Sequence, residues 1–238
     1  MNEAILLQIP HVTEITVNPF QMKGVIEYSY FDFDGFVRKS MSDQEDEATI
    51  KTKSMVQISG RNVELANIGK WAMIIWGMNQ LTEFEKRSIQ LLIDPEILGK
   101  KAFTSDSEII LAMILSEIKK FEANDDFGAH VVRNAVKNVL NKINMPGNIT
   151  QASFVLNNGG ITFAYSGLEP AYFGILNLTQ KVKIVQPSSS TRIYSKDNPL
   201  RGIVVSSFDT VGGKKITKMT PGKILMAEKN FSLQIEDF

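Results

Sequence analysis

The chain has 238 residues, of which 43% are hydrophobic and 22% charged, a composition typical of a globular protein with an ample core. Its 26 basic residues balance 26 acidic ones, which argues against an obligate polyanion binder on overall charge alone. It contains no cysteine, so disulfides, thiolate metal ligands and cysteine nucleophiles are excluded within it. The first ten residues lack the features of a signal peptide, and a cytoplasmic location is expected.

The first sixty residues are predicted to form strands. β-branched and aromatic residues favour strands over residues 14–17, 24–33, 36–41 and 49–58. Asp34-Gly35 predicts a hairpin turn, and the acidic stretch 42–47 predicts a solvated loop.

Residues 62–80 form the most apolar helix-length stretch and contain both tryptophans, Trp71 and Trp76. The half from Trp71 to Met78 is apolar on every face, which is typical of a helix enclosed by other elements. At eight residues it is too short for a bilayer, which needs about 20. We therefore predict a buried central helix here.

Two capping-box patterns predict the next helices. Thr82 with Glu85 begins one that should end near Asp94-Pro95, because proline disfavours helical geometry in the residue before it. Ser105 with Glu108 begins a second, whose apolar face is Ile109, Met113, Leu115 and Ile118. A third helix is predicted over residues 127–143.

Strands return after Pro146. They are predicted at 150–156, 161–165, 182–186, 192–195, 202–208 and 223–227, with a hairpin turn at 157–160. Residues 171–178 fit either a short helix or a buried strand. The spacing of glycine and aromatic residues in 15–30 resembles that in 149–165, which suggests either a duplicated hairpin or features that any two hairpins share.

These elements predict an α+β fold in one domain, residues 1–238. Two antiparallel β units, residues 1–60 and 146–238, are expected to pack on a central helical layer, residues 61–145.

Residues 31–36, FDFDGF, resemble the aspartate nucleophile motif of haloacid-dehalogenase-type phosphatases, and Met55–Arg61 resembles that family's hydroxyl-bearing motif. The resemblance implies a Mg²⁺-dependent phosphatase, which we keep as a lesser alternative. The chain departs from the family pattern, because no acidic Gly-Asp motif follows and strands do not alternate with helices. The two histidines, His11 and His130, have no second histidine at ligand spacing, so no metal or cofactor is predicted.

Charge is unevenly distributed along the chain. Residues 181–229 contain ten basic and three acidic residues, whereas residues 27–50 contain seven acidic residues against Arg38 and Lys39. Lysines on phosphates and aromatics on unstacked bases are the usual means of binding single strands. We therefore predict a non-catalytic protein, not an enzyme, that binds single-stranded DNA or RNA through this carboxy-terminal sheet. The predicted contact residues are Lys181, Lys183, Arg192, Tyr194, Lys196, Arg201, Phe208, Lys214, Lys215 and Lys218.

Residues 235–238, IEDF, resemble the acidic tips of single-stranded DNA-binding proteins, although a final strand over 232–235 is an equal alternative. The predicted architecture also resembles the Whirly type of single-stranded nucleic-acid binder. The alternative function is a viral or phage assembly protein in which acidic and basic faces of successive copies meet. In either case we expect a homo-oligomer that binds no membrane.

Overall fold

The computed structural model describes residues 3–19, 26–32, 35–41, 48–59, 62–99, 102–121, 128–142, 151–178, 181–185, 189–194, 200–211, 214–228 and 232–237. The strands in these ranges are β1 (Glu3–Pro19), β2 (Ile26–Asp32), β3 (Gly35–Met41), β4 (Ala48–Ser59), β5 (Val63–Ile68), β6 (Trp71–Trp76), β7 (Ser153–Asn157), β8 (Thr162–Tyr165), β9 (Ala171–Leu178), β10 (Lys181–Val185), β11 (Ser189–Tyr194), β12 (Leu200–Ser206), β13 (Thr210–Val211), β14 (Lys214–Lys215), β15 (Thr217–Met219), β16 (Lys223–Ala227) and β17 (Leu233–Asp237). The helices are α1 (Glu83–Gln90), α2 (Pro95–Leu98), α3 (Asp106–Phe121) and α4 (Ala129–Lys142).

The strands form two large antiparallel sheets. Sheet A has the order β15-β9-β12-β1-β4-β2-β3, with β11 pairing β1 and β10 pairing β11, and sheet B has the order β17-β16-β8-β7-β6-β5. One apolar core joins the facing sides of the two sheets, with Leu6 and Val205 from sheet A and Ile74 and Leu225 from sheet B. A second core lies between sheet B and the helices. The order of layers is therefore sheet A, sheet B, helices.

The α+β class with antiparallel sheets and a few helices is confirmed. The arrangement within it differs from the prediction, because the helices cover one side of sheet B and the two sheets pack on each other. Sheet A combines strands from residues 3–59 with strands from residues 171–219, and sheet B combines the strands of residues 63–76 with strands from residues 153–237.

The predicted central helix over residues 62–80 is wrong. This stretch forms the hairpin β5–β6, with a turn at Gly69-Lys70 and Val63 opposite Trp76. Trp71, Met73 and Ile75 face the helical core, whereas Ile74 and Trp76 face sheet A. A strand covered on both sides has no polar face, so its sequence has the same unbroken apolar character as a buried helix.

The three predicted helices are confirmed as α1, α3 and α4. Thr82 caps α1 with a reciprocal capping box to Glu85, and this helix ends at Gln90, followed by the short α2. At α3 the box is shifted, because the Glu108 carboxylate accepts the N–H of Thr104 instead of that of Ser105. α3 is buried on all sides through its first 13 residues, since sheet B, α1 and α4 surround it.

Most predicted strands are confirmed to within a few residues, and residues 171–178 form strand β9. The two stretches with similar spacing differ in topology, because β7 pairs directly with β8 whereas β4 lies between β1 and β2. The predicted loop 42–47 lies outside the described residues. Within the described ranges, no helix has the length and hydropathy needed to cross a membrane.

Candidate functional site

A carboxylate–ammonium pair lies where strand β6 leads into the helices. Asp106 is the first residue of α3 and is only 7% exposed. Its Oδ2 accepts the N–H of Leu81 at 2.7 Å, and its Oδ1 lies 3.2 Å from Nζ of Lys86 on α1. Hydrogen bonds to Asp106 and Glu83 raise the pKa of Lys86 above its ordinary value of 10.5. The pair therefore links the segment after β6 to both α1 and α3.

Two other carboxylates near the start of α3 accept hydrogen bonds from main-chain N–H groups. Glu64 of β5 accepts the N–H of Ser107 at 3.1 Å, and Glu108 accepts the N–H of Thr104 at 2.7 Å. Such bonds satisfy the free N–H groups of a helix start. Among the described residues no group of three His, Cys, Asp or Glu side chains could hold a metal ion.

The segment between β6 and α1 begins at a glycine that no other residue can replace without strain. Gly77 has a φ of 73°, and its N–H donates to the carbonyl of Asn62 at 3.2 Å. A Cβ at Gly77 would lie 2.7 Å from Cβ of Glu169 and closer still to its Cγ. The Glu169 side chain thus lies directly across the start of this segment.

A strap formed by residues 166–170 holds Glu169 in this place. The indole N–H of Trp76 donates to the carbonyl of Pro170 at 3.0 Å. The hydroxyl of Ser153 donates to the carbonyl of Glu169 and accepts the N–H of Gly167. These bonds fix the strap to the ends of β6 and β7.

A second polar group of residues is fully buried between the two sheets. We call it the inter-sheet polar cluster; it consists of Gln8 of β1, Ser54 of β4, Asn157 of β7 and Thr162 of β8. Gln8 donates to the carbonyl of Gly160 at 3.1 Å and accepts from the hydroxyl of Thr162. Asn157 donates to Thr162 at 2.8 Å and accepts from Ser54 at 2.9 Å. This cluster contains no ionisable base, so its described bonds indicate a structural role.

The predicted contact residues that the structure describes lie on several different strands. Lys181 lies opposite Tyr194, and Lys183 opposite Arg192, in the β10–β11 ladder, whose side chains are outside the described set. Side chains alternate between the two faces of a strand. Arg201 lies two residues before Ile203 on β12, so it is on the face of sheet A that Ile203 turns towards sheet B. Lys218 is next to Met219, which also faces sheet B, so Lys218 is on the opposite face of sheet A.

Two of the remaining predicted lysines and Phe208 lie on other parts of the described chain. Lys214 and Lys215 are exposed on the separate β13–β14 hairpin, and Phe208 is half-buried beyond the end of β12. Lys196 lies outside the described residues.

The comparisons with known proteins give a fold but no family. Neither the protein-family models nor the curated proteins contain a match to this chain. Among the solved structures that match, two align along essentially the whole chain. The predicted glutamine amidotransferase from Pseudomonas aeruginosa PA01 aligns over 99% of this chain and 100% of its own, with a TM-score of 0.68 and 10% identity. The glutamine aminotransferase class-II domain protein from Silicibacter pomeroyi aligns over 100% and 99%, with a TM-score of 0.56 and 13% identity.

The chain thus has the fold of glutamine amidotransferase-class proteins. The prediction of a non-catalytic nucleic-acid binder is wrong, as are the viral or phage assembly alternative and the prediction that the chain is not an enzyme, because both structures that align with the whole chain are named as glutamine amidotransferase or aminotransferase proteins. The phosphatase alternative is also wrong. Every described strand pair in the two large sheets is antiparallel, whereas the phosphatase family is expected to have a parallel sheet.

Sequence reasoning missed Asp106, Lys86 and Gly77. Asp106 lies inside the recognised Ser105–Glu108 capping box, and Lys86 follows the recognised Thr82 cap by one turn. The sequence therefore showed only that Asp106 and Lys86 each lie near the start of a helix. Such residues usually serve only the helix ends, and nothing in the sequence showed that these two meet.

Proposed function

We propose that this chain is an enzyme that acts on the side-chain amide of a small amino acid, glutamine or a close analogue. The observation that carries the proposal is the alignment of the whole chain, at a TM-score of 0.68, with a predicted glutamine amidotransferase. The second neighbour supports it, because its name also refers to glutamine and it too aligns end to end.

The composition of the chain restricts the chemistry of such an enzyme. Cleavage of an amide needs attack on the carbonyl carbon, after which the carbon–nitrogen bond breaks and ammonia leaves with an added proton. The 238 residues include no cysteine. In the proposed reaction the attacking atom is therefore an oxygen. It belongs either to a Ser or Thr hydroxyl, which gives an ester intermediate that a water molecule then hydrolyses to glutamate, or directly to a water molecule.

The Asp106–Lys86 pair supports recognition of an amino acid. A free amino acid carries an ammonium and a carboxylate, and these charges complement the carboxylate of Asp106 and the ammonium of Lys86. Asp106 is fixed by its bond from Leu81, whereas Lys86 is a flexible side chain that is partly exposed. In the proposed function, Lys86 moves from Asp106 to the substrate carboxylate, and the substrate ammonium takes its place at Asp106.

The test is release of ammonia from glutamine by the purified chain, with asparagine as the shorter amide and glutamate as the control without an amide. We expect ammonia and glutamate in equal amounts from glutamine and a slower reaction with asparagine. The Asp106→Asn variant, purified in the same way, controls for contaminating amidase. Failure to release ammonia, or equal release by wild type and variant, would contradict the proposal. Binding of glutamine without release of ammonia would show that the chain recognises glutamine but does not cleave it.

A further inference from the structure

We propose that strand β17 is a self-association edge, through which two copies of this chain join sheet B of one protomer to sheet B of the other. β17 is the last strand of sheet B and pairs with β16 alone in the described part of the chain. Its other side presents main-chain N–H and C=O groups that a further strand can pair with. The inference is independent of the proposed enzymatic activity.

The side chains of β17 are arranged in a way that permits a second copy. Edge strands are usually protected by unpaired charges, and β17 carries two acidic residues that should repel an identical strand. Both are neutralised within the protomer: Glu236 accepts from Arg133 of α4 at 3.0 Å, and Asp237 lies 2.5 Å from Nζ of Lys223 on β16. Both carboxylate side chains of β17 in the described part of the chain are therefore paired.

An antiparallel pair of β17 strands is self-complementary when Ile235 lies on the two-fold axis. Ile235 is then opposite its own copy, and Gln234 is opposite Glu236 of the other protomer, so no like charges meet directly. Ile235 is the apolar residue at the centre of the strand and is 45% exposed. Pairing at this register covers it with the same side chain of the partner.

Two other edges of the sheets are less suitable. β5, at the opposite edge of sheet B, is largely buried and packs against α3, and β15 of sheet A has only three residues. Pairing of one five-residue strand covers less surface than a stable dimer interface, which buries about 1,200–2,000 Å². We therefore expect a reversible, concentration-dependent dimer.

The absence of cysteine permits a direct test, because an introduced thiol is then the only one in the chain. In the Ile235→Cys variant the two thiols lie on the axis, at the separation that a disulfide bridges. Mild oxidation should give a covalent dimer at high yield. The matched control is Leu91→Cys, because Leu91 is apolar and 87% exposed but lies at the end of α1. It should stay largely monomeric under the same conditions.

Sedimentation velocity of the cysteine-free chain completes the test. Wild type should shift from monomer to dimer as its concentration rises, whereas Ile235→Lys should remain monomeric with an unchanged melting temperature, and Leu91→Lys should behave as wild type. Wild type that stays monomeric throughout, or a dimer that Ile235→Lys leaves intact, would overturn the proposal. Equal cross-linking of both cysteine variants would do the same.

Discussion

The ammonium of Lys86 lies 3.2 Å from Oδ1 of Asp106 and the same distance from Oε1 of Glu83. The lysine is thus held between a buried carboxylate at the start of α3 and an exposed one in the first turn of α1. Two of the helices above sheet B therefore meet at this charge. In the proposed function the contact to Asp106 is the one that a substrate ammonium replaces.

Replacing Lys86 by methionine should weaken glutamine recognition, because the substrate carboxylate loses its cation. We expect KM for glutamine to rise about tenfold, with a smaller change in kcat. Steady-state kinetics check this. The control is Lys70→Met, because Lys70 is exposed in the β5–β6 turn and should leave both constants unchanged. An unchanged KM for Lys86→Met would remove Lys86 from the site.

Gly77→Ala should destabilise the protein more than the same change at Gly69. Both glycines have a positive φ, but an added Cβ meets Glu169 at Gly77 and nothing within 4 Å at Gly69. We expect about 1 kcal/mol at Gly69 from backbone strain alone and about 3 kcal/mol at Gly77 from strain and overlap together. Urea denaturation measures both.

The double variant Gly77→Ala with Glu169→Gly isolates the overlap. It should recover part of the loss at Gly77, because the side chain that the new methyl group meets is gone, while the backbone strain remains. Equal costs at Gly69 and Gly77, or no recovery in the double variant, would contradict the contact between Glu169 and Gly77.

Thr162→Val should lower the free energy of unfolding by about 2 kcal/mol. The substitution removes the hydroxyl that pairs with the side-chain carbonyl of Gln8 and with a side-chain N–H of Asn157 between the sheets. Thr210→Val is the exposed control: its hydroxyl also bonds a neighbouring carboxylate, but water can replace that bond. Its cost should stay within about 0.5 kcal/mol. Chemical denaturation with matched slopes tests the difference, and similar costs for both variants would show that the inter-sheet polar cluster contributes little.

Glu117 provides a test of stability against pH. Burial alone would raise its pKa, but hydrogen bonds from Lys120 and Lys142, together with their charges, outweigh burial and hold the pKa below the ordinary value of 4.5. A carboxyl whose pKa is lower in the folded state stabilises the protein above its unfolded-state pKa, and this contribution disappears as the pH falls through the folded-state value.

The Glu117→Gln variant should therefore be less stable than wild type at neutral pH, by about 2 kcal/mol, and this difference should shrink below about pH 4.5. Thermal unfolding across pH 3 to 7 checks this. A constant difference between wild type and variant over that range would show that the charge of Glu117 is not what joins α3 to α4.

The sequence predicted the parts of the fold that have local causes. The Thr82–Glu85 and Ser105–Glu108 patterns begin α1 and α3, and Asn157–Gly160 forms the β7–β8 turn, because capping and turn formation depend on residues within a few positions. Trp71–Trp76 was wrongly predicted because its apolar character comes from two layers that pack on its opposite sides. A single sequence does not show that enclosure.

The candidate site could not be predicted for a related reason. Asp106 meets Leu81 and Lys86 across about twenty residues of chain, and Gly77 meets Glu169 across more than ninety. Neither contact has a periodic or motif signal. The uneven charge was visible in the sequence, and it includes exposed lysines such as Lys214 and Lys218, which lie on different strands.

The most direct test of the account uses glutamine labelled with ¹⁵N in its side-chain amide, supplied to wild type and to Asp106→Asn. Release of labelled ammonia is followed by NMR, together with a far-UV spectrum to show that both proteins are folded. The account predicts release by wild type and at least a hundredfold slower release by the variant, equivalent to about 2.7 kcal/mol of lost stabilisation. Folded wild type that binds no glutamine and releases no labelled ammonia would contradict it.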